Sequence, residues 1–87
     1  MDVFIYFKER LPVGLDVLED ALDAALGENG EVTGSGTGQV GSNLDLYVDD
    51  NDMSVDEVVE MIRRALGVYG IPKSSTIVIG ENNFSVV

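Results

Sequence analysis

The stretch Glu31–Asp50, EVTGSGTGQVGSNLDLYVDD, constrains this chain more than any other. Five of the ten glycines lie in it or at its entrance: Gly30, Gly34, Gly36, Gly38 and Gly41. Behind them Leu44, Leu46 and Val48 alternate with Asp45, Tyr47 and Asp49, the period of a strand with one buried face. The stretch reads as a β-hairpin at the centre of the chain. Gly34, Gly36 and Gly38 are spaced by two, so in an extended strand they share a face with Val32 and Val40. Thr33, Ser35, Thr37 and Gln39 take the other face. A strand face of bare backbone marks a bulge or a close approach by something else. A helix packed through Ala21 and Ala25 is the expected occupant, and a ligand lying along the backbone is the alternative.

One strand and one helix are expected on each side of the hairpin. Asp2–Lys8 is rich in β formers and apolar on both faces, Val3, Ile5 and Phe7 against Phe4 and Tyr6. Such a run is buried on both faces or central in its sheet. Val13–Leu26 reads as a helix with Leu15, Leu18, Leu22, Ala25 and Leu26 as its apolar stripe. Its other side carries Asp16, Glu19, Asp20 and Asp23 with no base to pair them, a solvated face or a docking surface for a cation. Ser54–Tyr69 is the second helix, opened by a Ser54/Glu57 capping box and closed by Gly67 or Gly70 and Pro72. Its stripe is Val55, Val58, Val59, Ile62, Ala65, Leu66 and Tyr69. Thr76–Ile79 is a strand, Gly80–Asn83 a turn, and Phe84–Val87 a short final strand pairing back. Residues 1–87 make one domain.

Charge excludes several functions. Sixteen acids against five bases give a net charge of −11, which disfavours nucleic acid and anionic membrane as partners. The chain has neither cysteine nor histidine, so thiol chemistry, thiolate metal sites and the commonest general base are unavailable to it. MDVFIYFKER reads as neither a signal peptide nor a membrane span, and a cytoplasmic location is expected.

Two motifs fail on their context. Gly36, Gly38 and Gly41 spell G-x-G-x-x-G, but a strand follows where a dinucleotide site needs a helix. Asp49, Asp50, Asn51 and Asp52 form an acidic turn, yet an EF-hand counted from Asp50 would need glycine at Val55 and glutamate at Met61. No metal and no cofactor is expected. The acidic turn reads as helix entry.

The element order is β-α-β-β-α-β with an extra strand, and it resembles the ferredoxin-like superfold over nearly the whole chain. The resemblance implies an α+β two-layer sandwich: an antiparallel sheet in the order 4-1-3-2, two helices on one face and a short extra C-terminal strand. RNA-recognition domains share this topology and stack bases on aromatics. Tyr6 and Tyr47, with Phe4, stand at such places here, but Asp45 and Asp49 flank Tyr47 and the basic framing is missing, so nucleic acid is rejected. In size and charge the chain also resembles, distantly, small acidic bacterial immunity and antitoxin proteins. That implies an acidic protein-binding module rather than an enzyme, an inhibitor or immunity protein for a basic partner. The alternative is a structural or assembly subunit, a homo-oligomer joined through a sheet edge or the open sheet face. The expected partner site is the corner formed by Asp45, Tyr47, Asp49, Asp50, Asp52, Asp56 and Glu57, an aromatic anchor ringed by charge.

Overall fold

The computed structural model describes residues 1–39 and 41–87. Among these the chain forms five strands and two helices: β1 (Asp2–Phe7), α1 (Leu15–Leu26), β2 (Gly30–Gly38), β3 (Gly41–Val48), α2 (Val55–Leu66), β4 (Thr76–Ile79) and β5 (Asn82–Ser85). The strands make one antiparallel sheet in the order β2-β3-β1-β4-β5. This is the ferredoxin-like order with β5 added outside β4. β1 is central, as its apolar run demands.

The sheet has one buried face. Val3, Ile5, Phe7, Leu44, Leu46, Val48, Ile77 and Ile79 join Leu18, Leu22 and Leu26 of α1 and Val58, Val59, Ile62 and Leu66 of α2 in one hydrophobic cluster. Both helices therefore cover the same face. Full burial of one such side chain is worth roughly 1.5–3 kcal/mol, which is why the two-residue period of the strands and the three-to-four-residue period of the helices lock together. Ala25, placed in the stripe by its spacing, is exposed. The second face of β1 is not buried: Phe4 is half-covered and Tyr6 exposed.

Element ends follow local chemistry. α1 begins at Leu15, two residues later than the periodicity predicts, because Gly14 caps it in extended backbone (φ −68°, ψ 153°) just after Pro12. α2 opens with the capping box, the Ser54 amide donating to Glu57 Oε1 at 3.1 Å and the Glu57 amide to Ser54 Oγ at 3.3 Å. It gives way at Leu66 to a short 3-10 turn, Gly67–Tyr69, which Gly70 ends with φ 69°. The last hairpin is tighter than predicted. Ile79 pairs with Asn82 across Gly80 and Glu81, because Gly80 takes φ +60° at the first turn position. β5 thus starts two residues early, and Val86 beyond it is free to enter the core.

The glycine strand departs from the alternation read from sequence. The pairing of β2 with β3 slips between Val32 and Gly34, so Val32 lies opposite Leu46 while Gly34 lies opposite Asp45. One extra residue there turns the glycines onto the face opposite Val32. Val40, expected beside them, lies outside the described residues. No helix covers these glycines. A Cβ on Gly34 would sit 3.4 Å from Asp45 Oδ2, and one on Gly36 would sit 2.9 Å from Asn43 Oδ1. The close approach is by neighbouring side chains of β3, not by Ala21 and Ala25.

Candidate functional site

The sheet face turned away from the helices is uncovered. β1 contributes Asp2, Phe4 and Tyr6 to it, and β3 contributes Asn43, Asp45 and Tyr47, since each alternates with a buried core residue. β4 adds Thr76 and Val78, and β5 adds Asn83 and Ser85. Tyr6 is 43% and Tyr47 48% exposed, although both lie in the middle strands of the sheet. None of the five strands contains a lysine or arginine.

The register sets aromatic against acceptor across β1 and β3. Asp2 lies opposite Tyr47, Phe4 opposite Asp45, and Tyr6 opposite Asn43. Asn43 Nδ2 donates to Asp45 Oδ1 at 3.1 Å, so these two side chains lie along β3 and lean over Gly34 and Gly36. Gly34 and Gly36 carry no side chain on this face of β2, so Asp45 and Asn43 reach over them.

The seven residues expected to form one corner are divided by the structure. Asp45 and Tyr47 belong to the open face. Asp56 and Glu57 open α2 on the other side of the sheet, where they border a groove of about 370 Å³ with Met53, Glu60, Met61 and Arg64. Asp49, Asp50 and Asp52 lie in the turn between them. Asp49 Oδ1 accepts from the Asn51 amide at 3.0 Å, and its carbonyl accepts from the amides of Asp52 and Met53. Asp50 pairs with the Met1 amino group. Backbone and side-chain hydrogen bonds from Ser54 hold the Glu57 carboxyl below the usual glutamate range. Turn, terminus and cap thus engage three of these acids, and no group of three acids among the described residues is placed to hold a metal ion.

A second cleft, of about 470 Å³, lies between the β1–α1 loop and the far end of the hairpin. Lys8, Arg10, Leu11 and Val13 line it on one side and Thr37, Gly38 and Ser42 on the other. Both sheet edges have outward backbone groups engaged by helix side chains. Asp23 Oδ1 accepts from the Val32 amide at 3.1 Å, and Arg63 Nε donates to the Ser85 carbonyl at 2.9 Å. Among the described residues no helix is long and apolar enough to cross a membrane.

The sequence places Asp45 and Tyr47 on one strand face, and the pairing of β1 with β3 sets Phe4 and Asp2 opposite them. Sequence alone puts Asp2, Phe4 and Tyr6 on the first strand but not beside the third, because that pairing is a long-range fact. No protein-family model, no curated protein and no solved structure matches this chain.

Proposed function

We propose that this chain is an acidic protein-binding module whose open sheet face receives a basic segment of a partner protein. One observation carries the reading: two half-exposed tyrosines stand in the middle of a sheet face that bears carboxylates and no base. Aromatic rings give buried contact area, and the surrounding charge raises the rate of encounter and rejects anionic partners. Asp49 and Asp52, just beyond Tyr47, add to the same negative field. An inhibitor or immunity protein for a cationic enzyme is the role that suits such a surface. Self-association through a sheet edge is less well supported. Asp23 and Arg63 occupy outward groups on the two edges, and a second copy would bring another −11.

The test is binding kinetics on the immobilised chain with a mixed lysine–arginine nonapeptide at several salt concentrations. Tyr47→Ala is expected to speed dissociation by about tenfold, the scale of a lost aromatic anchor. Asp2→Asn combined with Asp45→Asn is expected to slow association and flatten its salt dependence. Wild-type kinetics in both variants would place the site elsewhere.

A further inference from the structure

We infer that the partner segment is extended and carries an Arg-x-Arg sequence, its two arginines seated on the Asp2–Tyr47 and Phe4–Asp45 pairs. This rests on the docking function proposed for the open face and specifies the chemistry of its partner.

The register supplies the reason. Directly opposed residues of an antiparallel pair have Cβ atoms roughly 4.5–5.5 Å apart. Each of these two pairs therefore sets an aromatic residue opposite a carboxylate residue across the strands. A guanidinium is flat, stacks on a ring and offers forked N–H donors to a carboxylate at its edge. An ammonium is a compact, strongly hydrated point charge and gains less from the ring. The third pair, Tyr6 with Asn43, has a ring and a neutral amide, so it selects no charge.

Spacing then selects the conformation of the partner. Successive pairs lie two residues apart along the strands, or roughly 6.8 Å. An extended segment sets side chains i and i+2 on one side at that same distance and follows the twist of the sheet. A helix brings neighbours together only at three- and four-residue spacing. The glycines complete the seat. Asp45 leans over Gly34, and Asn43 over Gly36, and no side chain at those two positions of β2 stands over them. The bond from Asn43 occupies one acceptor position of the Asp45 carboxylate, and roughly three of its four remain for a guanidinium.

Three end-blocked peptides test this by calorimetry and by amide shifts in ¹⁵N NMR: Thr-Arg-Thr-Arg-Thr, Thr-Arg-Arg-Thr-Thr and Thr-Lys-Thr-Lys-Thr. The alternating arginine peptide is expected to bind about tenfold tighter than either of the others, with shifts concentrated at Asp2, Phe4, Asp45 and Tyr47. Tyr47→Leu keeps an apolar side chain without the ring, and is expected to narrow the gap between the arginine and lysine peptides without closing it, since the ring of Phe4 remains. Equal binding of all three peptides to the wild-type open face overturns the spacing and the arginine preference, and leaves the docking function standing. Shifts confined to other surfaces, or none with any peptide, overturn both.

Discussion

Replacing Gly30 by alanine is expected to weaken the fold severely, whereas the same change at Gly34, four residues along the same strand, is expected to be harmless. Gly30 has φ 174°, extended backbone that any residue adopts, so its backbone conformation does not require glycine. The obstacle is steric. A Cβ there would collide with the Tyr47 carbonyl oxygen and come within 3.0 Å of Val48 Cα, both backbone atoms of β3. They cannot yield without parting β2 from β3 where Gly30 faces Val48. Overpacking of this kind costs about 1–3 kcal/mol, and each strand hydrogen bond lost adds about 1 kcal/mol. A total of about 2–4 kcal/mol is a large part of the roughly 4–13 kcal/mol that stabilises a domain of this length. At Gly34 the Cβ meets only the Asp45 side chain, at 3.4 Å, and the loss of unfolded-state freedom favours alanine by about 0.4–1 kcal/mol. Urea titration followed by circular dichroism reads both. In thermal melts Gly30→Ala is expected to lower Tm by on the order of 10–20 °C and Gly34→Ala to leave it unchanged or slightly raised. A Gly30→Ala variant as stable as wild type, or a Gly34→Ala variant more than about 1 kcal/mol weaker, refutes the argument.

Two further outcomes follow from hydrogen bonds at the ends and edges of elements. Ser54→Ala removes the hydroxyl that caps α2 and is expected to cost about 1 kcal/mol in denaturant titration. Because the Glu57 carboxyl is held below its ordinary range, its contribution is complete above the unfolded-state pKa and is lost as pH falls through the lower folded value. Glu57→Gln is therefore expected to lose stability at neutral pH and to converge on wild type in acid; a constant difference across that range counts against the cap as the cause. Asp23→Ala frees the Val32 amide at the sheet edge, and its hydrogen exchange is expected to quicken about five- to tenfold, the equivalent of one hydrogen bond, with Leu46 opposite unchanged.

The amino-acid sequence by itself determined the elements, their order and the fold class. Period and chain order are local properties: Leu44, Leu46 and Val48 announce a strand, and Val58, Val59, Ile62 and Leu66 a helix, whatever surrounds them. Those stripes also identified nearly all of the core. Ala25 and Ile71 were exceptions: a small residue at the stripe's margin is covered only if a neighbour reaches it, and Ile71 enters the core from outside any element. Tertiary structure decided the surfaces. The slip after Val32 turned the glycine row over; the glycines allow a bulge, but where it falls is defined by the strand opposite. The split of the acidic corner has the same origin. Asp45 and Asp56 are close in sequence, but β3 and α2 are in different layers, and the sheet stands between them. Asp2 and Tyr47 are 45 residues apart in the chain and face each other because β1 pairs antiparallel with β3. A surface assembled across two strands exists only once their register is set, and register is a property of the pair rather than of either strand alone.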